Sequence, residues 1–475
     1  MSIVSVQLTN GKQPKYLQLF EHIKSLITSG ELRPGERLPT VRSLSQSLNI
    51  NNITVVNAYK QLENNKYITA KKGSGYYISN LKIQEEDTLS SGDLGMINDS
   101  DIINFANATP HPSIFPIEAF KDCINEVLER DKGLAFEYQE SNGFKPLRES
   151  LLEYLQSKYS IDAGSWANVL IVAGAQQGID LISKVLINPG DYVITENPTY
   201  DGATALFKSR GARVVCVNME VDGIDLIDLE KKIRICRPKL IYLMTYCQNP
   251  STITYSGEKL EKLIQLAKKY DVLVVEDDTM SELDFDNQKL LTLKQLDTNN
   301  TSVIYIKSFS KILMPGLRAG CMIIPDTLLK DFTKIKYNSE LSSSGLIQRA
   351  LDLYFRTGKW EEHLKYMKEI YRGKYEFMQS QLERLKKYGI SFRKPKGGLY
   401  FWINLPKNLS AGEIYRHCRK SGLILIPSGV FYELDNKNKD RSLRLSFASC
   451  NIEQIRCGVE ILEDCIAAEL SDGII

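Results

Sequence analysis

The run Ser308-Phe309-Ser310-Lys311-Ile312-Leu313-Met314-Pro315-Gly316-Leu317-Arg318 places a primary amine close to two small hydroxyls and a following guanidinium. A lysine amine can condense with a carbonyl, and hydroxyls with an arginine fork suit a phosphate. Lys311 as a Schiff-base amine, with Ser308, Ser310 and Arg318 as phosphate holders, therefore suits an aldehyde that carries a phosphate, and pyridoxal phosphate is such a molecule. Asp277, in Glu276-Asp277-Asp278, stands 34 residues earlier. A carboxylate there can bond a pyridinium nitrogen and keep it protonated, which turns the ring into an electron sink. Taken singly it reads as a cap, and it gains its meaning from Lys311. Ala173-Gly174-Ala175-Gln176-Gln177-Gly178 has the form of a strand-to-helix turn whose free N–H groups could take a phosphate, although such a turn alone is only a turn.

These residues need a frame. From about Asn104 onward, β-prone apolar runs at 169–172, 191–194, 213–217, 240–244, 272–275 and 303–306 alternate with amphipathic helical stretches. Alternation of this kind predicts a parallel sheet covered by helices, with ligands gathered at the carboxyl ends of the strands. Each motif above follows one of those runs. At 475 residues the chain calls for two or three domains.

The first 80 residues are different. They hold ten Lys/Arg and four Glu, a net of +6, whereas residues 81–101 carry a net of −5 and the whole chain only +2. The sign change marks a domain boundary, and the basic block is the electrostatic half of a nucleic-acid footprint or simply a solvated face. An apolar stripe through Leu17, Phe20, Ile23, Leu26 and Ile27 predicts a first helix. Pro39-Thr40 opens a second with Val41, Leu44 and Leu48, and Asn51 or Asn52 caps a third bearing Val55, Val56, Tyr59 and Leu62. Two β-prone runs around Lys71-Lys72-Gly73-Ser74 then predict a hairpin with a basic tip able to lie on a phosphate backbone, and helix three would enter the major groove. A protein-docking helical module is the alternative. Residues 80–103, rich in Ser, Asp, Glu and Gly, read as a flexible acidic linker.

Nine scattered cysteines without a CxxC pair indicate reduced thiols and neither a disulfide framework nor a metal site. No stretch approaches the length of a membrane span and no leader is apparent, so a cytoplasmic address without a membrane partner is expected.

Leu32-Arg33-Pro34-Gly35-Glu36-Arg37-Leu38-Pro39-Thr40-Val41-Arg42, Thr54-Val55 with Ala58-Tyr59, and Gly73-Ser74-Gly75-Tyr76 resemble a GntR-type winged helix. The resemblance implies DNA contacts at Thr40, Arg42, Asn51, Asn52, Thr54 and Gly73, with Asn51-Asn52 standing where a serine-arginine pair is common. Residues 104–465 resemble the type I aminotransferase fold, and the whole chain resembles the MocR/GabR-type transcriptional regulators. The resemblance implies that Lys311 forms the Schiff base, Asp277 meets the ring nitrogen, Asn249 the ring hydroxyl and Tyr200 the ring face. It also implies that Ala175, Gln176, Ser308, Ser310 and Arg318 hold the phosphate, that Tyr138 reaches in from a second subunit, and that Arg444 in Leu443-Arg444-Leu445-Ser446 clamps an effector carboxylate.

The expected organisation is thus multidomain. A winged helix-turn-helix spans 1–79, a linker 80–103, and an α/β pyridoxal-phosphate-dependent transferase domain 104–470, whose small C-terminal part occupies about 350–470. The expected function is a homodimeric, head-to-tail regulator that binds paired half-sites of double-stranded DNA and senses an amino compound or the cofactor itself. A working transaminase with an appended head is the rival. Thr279, where many relatives have tyrosine, and Ser251-Thr252-Ile253-Thr254 after Asn249-Pro250 depart from the aminotransferase pattern and bear on turnover.

Overall fold

A computed structural model describes residues 14–28, 32, 35–64, 67–71, 74–78, 90–97, 99, 101–286, 290–433 and 440–472. The chain divides into two compact units, Met1–Leu89 and Ser90–Ile475.

In the first unit, α1 (Lys15–Thr28), α2 (Val41–Leu48) and α3 (Asn52–Asn64) precede the antiparallel hairpin β1 (Ile68–Lys71) and β2 (Gly75–Ile78). Thr40 starts α2 by accepting from the Ser43 N–H at 3.1 Å, and Asn49, in the left-handed region, ends it. The apolar stripes read from the sequence close on one another. Leu19, Ile23, Leu44, Val55, Tyr59 and Leu62 are buried in one core with Ile68 and Ile78 of the hairpin.

The second unit opens with α4 (Ser91–Met96), whose N-cap Ser90 and Asp93 form a reciprocal capping box. Ser91 bonds Asp201 through its N–H at 2.9 Å and its hydroxyl at 2.5 Å, and the Asn104 carboxamide donates to the Leu94 and Ile97 carbonyls. β3 (Ile103–Asn104) then pairs with a strand near the other end of the chain. The sequence reading of 80–103 as a tether therefore needs correction for 90–97 and 101–103, where the capping box, the Asp201 bonds and the β3 pairing fasten the chain within the second unit. Residues 80–89, 98 and 100 lie outside the described residues.

The central sheet uses β4 (Val169–Val172), β5 (Tyr192–Asn197), β6 (Arg213–Glu220), β7 (Gly223–Ile224), β8 (Leu240–Leu243), β9 (Leu273–Asp278), β10 (Val303–Ser308) and β11 (Gly320–Ile323), in the order β4-β11-β10-β9-β8-β5-β6-β7. The five strands β10, β9, β8, β5 and β6 are mutually parallel, while β11 runs antiparallel between β10 and β4. All six apolar runs named from the sequence are strands. Helices cover both faces over separate apolar clusters, one with Ile179, Ile182, Phe207 and Phe332, the other with Leu229, Leu260 and Leu263.

Beyond this lies a smaller sheet of β12 (Ser391–Phe392), β13 (Tyr400–Asn404), β15 (Ile426–Pro427) and β16 (Ser442–Ser446), ordered β12-β13-β16-β15, while β14 (Leu423–Ile424) pairs with β3. Among the described residues no helix is long and apolar enough to cross a membrane, and no cluster of side chains is suited to a metal.

Candidate functional site

The carboxyl ends of β4, β5, β8, β9 and β10 open into one cavity of about 920 Å³, lined by Gly174, Ala175, Gln176, Tyr200, Asn249, Asp277, Ser308, Ser310, Lys311, Arg318 and Arg444. Of the expected cofactor and effector residues only Tyr138 is missing from this wall. It is 85% exposed, just beyond the short helix Lys132–Phe136.

One end of the cavity is built for an anion. The helix Ala175–Leu186 starts here with Gly174 at φ 86, and a Cβ on Gly174 would stand 3.2 Å from Arg318 Nη2 and 3.6 Å from Ser310 Oγ. The positive φ favours glycine, and a Cβ there would crowd the guanidinium. Ser308 Oγ donates to Ser310 Oγ at 3.3 Å, and Arg318 is tied to the Ala173 carbonyl. Tyr200 donates its hydroxyl to Gln176 Oε1 at 3.0 Å. Burial holds that phenol well above its ordinary pKa, so it stays a donor.

Two consecutive carboxylates at the end of β9 face opposite ways, as the period of a strand demands. Asp278 pairs across the ladder with Lys307 and bonds its ammonium at 2.9 Å, and Glu282 holds the same ammonium at 2.6 Å. Burial works against the Asp278 charge, but Lys307 and its hydroxyl donors outweigh it and hold its pKa below the usual value. Asp277 looks into the cavity instead. Its Oδ2 accepts from Tyr242 at 2.6 Å, while its Oδ1 is buried without a hydrogen-bond partner. Burial lifts its pKa to about 7, with Asp278 adding to the rise and Tyr242 opposing it. Lys311 is half-buried and lines the same cavity. Burial, and then the charges of Arg444 and Arg318, lower its pKa to about 8.

Arg444 projects from β16. Its Nη1 donates to Asn249 Oδ1 at 2.8 Å and its Nη2 to the Ala106 carbonyl at 3.0 Å, leaving buried Nε without a partner. The Tyr400 and Phe431 ring centres lie 4.4 and 5.2 Å from the guanidinium carbon, cation–π contacts that suit an arginine. Tyr242, Tyr400 and Phe431 were not singled out from the sequence, because an aromatic residue in a strand, as the first two are, or in the turn after Ser428–Val430, as Phe431 is, reads as core. The alternation of β8 toward the Asp277 face was the available signal for Tyr242.

Residues 100–462 match the family described as aminotransferase class I and II, and residues 15–78 match the bacterial regulatory proteins of the gntR family. The chain belongs to the class I and II aminotransferase family. The HTH-type transcriptional regulator YdfD of Bacillus subtilis is 28% identical over 94% of this chain and 95% of its own length. The probable rhizopine catabolism regulatory protein MocR of Rhizobium meliloti is 25% identical over 97% and 95%. The α-aminoadipate aminotransferase LysN of Thermus thermophilus, crystallised with N-(5'-phosphopyridoxyl)-L-leucine, superposes with a TM-score of 0.72 at 30% identity, covering 82% of this chain and 99% of that one. A gntR head on an aminotransferase-family body makes the chain a regulator of the MocR/GabR type.

The cofactor of this aminotransferase-family body is pyridoxal phosphate, and the site fits it. The partnerless Asp277 Oδ1 can accept a hydrogen bond from a pyridinium N–H, the Gly174 hollow beside Arg318 and Ser310 can take the phosphate, and Lys311 lines the same cavity.

In the first unit, Thr40 and Arg42 are exposed at the start of α2, and Asn51, Asn52 and Thr54 lie at the start of α3. Two of these side chains also hold the local structure. Asn51 Oδ1 accepts from the Ile53 N–H at 2.9 Å, and Asn52 Oδ1 accepts from Ser45 Oγ. Gly73 lies outside the described residues. Its flanks pair in register, Lys71 with Gly75, and Lys71 Nζ sits 4.7 Å from the Tyr77 ring.

Proposed function

We propose that this protein is a DNA-binding transcriptional regulator whose large unit holds pyridoxal phosphate through Lys311 and responds to an amino compound. The observation that carries the reading is the joining, in one chain, of a basic winged helix to a cavity lined together by a depressed-pKa amine, a partnerless buried carboxylate oxygen and a guanidinium held over an aromatic ring. When bound, the cofactor supplies an aldehyde open to amines and an electron-accepting ring.

The chain's own residues do the rest. With a pKa near 8, roughly one Lys311 amine in ten is neutral and nucleophilic at pH 7. Asp277 keeps a proton on the ring nitrogen, Asn249 uses the amide nitrogen that Arg444 leaves free toward the ring hydroxyl, and Tyr200 covers the ring face. Ala175, Gln176, Ser308, Ser310 and Arg318 hold the phosphate. Arg444 takes the effector's carboxylate, since its Nε lacks a partner. Tyr138 serves the site of a second subunit, in a head-to-tail homodimer acting in the cytoplasm. Filling the cavity bears directly on α4, which supplies Ser91, Gly92, Gly95 and Met96 to its wall and comes next in the chain after the DNA-binding unit.

The test uses a duplex selected by the purified protein from a randomised library. Its affinity is measured with each of a panel of amino acids and amines, for the natural chain and for Lys311→Ala. One compound should change the natural chain's affinity at least fivefold and leave the variant unmoved. An equal response in both would remove Lys311 from the switch, and steady keto-acid production would move the reading to a transaminase.

A further inference from the structure

The core side of α3 is set by Val55, Ala58, Tyr59 and Leu62, all buried. At 100° per residue the opposite stripe is Ile53, Val56, Asn57 and Lys60, the i, i+3, i+4 and i+7 positions of one face. Ile53 is 65% exposed at the first turn, Val56 is partly exposed, and Asn57 and Lys60 are exposed. An isoleucine this open on a small basic unit has no role in the core beneath it. Its neighbours Asn51 and Asn52 meanwhile commit their carbonyl oxygens to the Ile53 N–H and to Ser45, which limits what they can accept from a base edge. The outward stripe is therefore apolar at its N-terminal end, carboxamide in the middle and cationic at its C-terminal end.

We propose that Ile53, supported by Val56, is a specificity-determining residue that selects a thymine in each DNA half-site through its C5-methyl group. This deepens the DNA-binding reading and rests on it. In the major groove the thymine methyl is the one apolar feature a base pair presents, and an aliphatic side chain at the start of an inserted helix is what meets it. One turn further along, Asn57 has the donor and acceptor that match adenine N7 and N6, and Lys60 suits a phosphate. The stripe thus favours A·T pairs at the centre of the half-site. The +6 charge of the first 80 residues argues for nucleic acid as the occupant of this face over a protein partner.

The experiment uses the full-length protein loaded with cofactor and a duplex selected from a randomised library. Each thymine of the selected half-site is replaced in turn by deoxyuridine, which removes only the methyl. One position should weaken binding roughly fourfold, the value of one buried methyl group. Ile53→Ser should bind the thymine duplex about as weakly as the natural chain binds the deoxyuridine one, with no further loss on methyl removal. A natural chain indifferent to every substitution, or Ile53→Ser retaining the full discrimination, would overturn the assignment while leaving DNA binding intact. Failure to select any duplex would overturn the DNA-binding reading itself, and this assignment with it.

Discussion

Asp277 and Asp278 are adjacent in the chain and opposite in chemistry, because the strand period sends one to an ammonium and the other to a cavity. The contrast gives a pH signature. The folded pKa of Asp277, about 7, lies above its ordinary value of 3.8, so the folded protein binds more protons than the unfolded chain between those limits. In the cofactor-free protein this residue's contribution to stability is present at low pH and declines as pH rises toward 7. Asp277→Asn, which keeps the shape and cannot ionise, should melt with the natural protein at pH 4 and a few °C above it at pH 8 in thermal scans. For Lys311 the shift is the other way, and capture of pyridoxal phosphate by the cofactor-free protein should quicken as pH rises through about 8, measured by stopped-flow absorbance. Arg444→Lys keeps the charge but cannot reach Asn249 and the Ala106 carbonyl together while held over Tyr400. Effector affinity in titration calorimetry should fall by at least tenfold, about 1.4 kcal/mol.

Among the elements, the parallel strands were legible because each is a short apolar run bounded by turn residues, and their carboxyl ends fixed where Lys311, Asp277 and Ala175 would meet. β11 was not legible. Gly320-Cys321-Met322-Ile323 directly follows the lysine motif, and an antiparallel insertion has no periodicity of its own. Nor was α4, although Ser90-Ser91-Gly92-Asp93 carries the spacing of a capping box, because its glycines and acids matched a tether equally well. The bonds to Asp201 resolve that ambiguity only in three dimensions. The cluster under β9 and β10 is an element-scale device in which Lys307 is held by Asp278 and Glu282, all buried. Lys307→Met would strand two carboxylates and should cost about 3–5 kcal/mol in urea unfolding, since breaking one partner of a buried set leaves uncompensated charge.

For the whole molecule, the change in charge sign after residue 80 suggested a head at 1–79, a linker at 80–103 and a large domain from 104, whereas the structure groups Met1–Leu89 and Ser90–Ile475 as its two units. The proposed function turns on cofactor sensing in the second unit, and assembly is part of it. Leu134, Phe136 and Tyr138 form an exposed apolar edge. Replacing all three with Ser should shift the sedimentation coefficient from dimer to monomer and weaken cofactor retention together. The most direct measurement is the near-ultraviolet and visible absorption spectrum of the purified protein beside Lys311→Ala, before and after titration with amino acids and amines. A cofactor band is expected in the natural protein alone, shifted by one compound without keto-acid production. Absence of any such band after reconstitution with pyridoxal phosphate would contradict the proposed function.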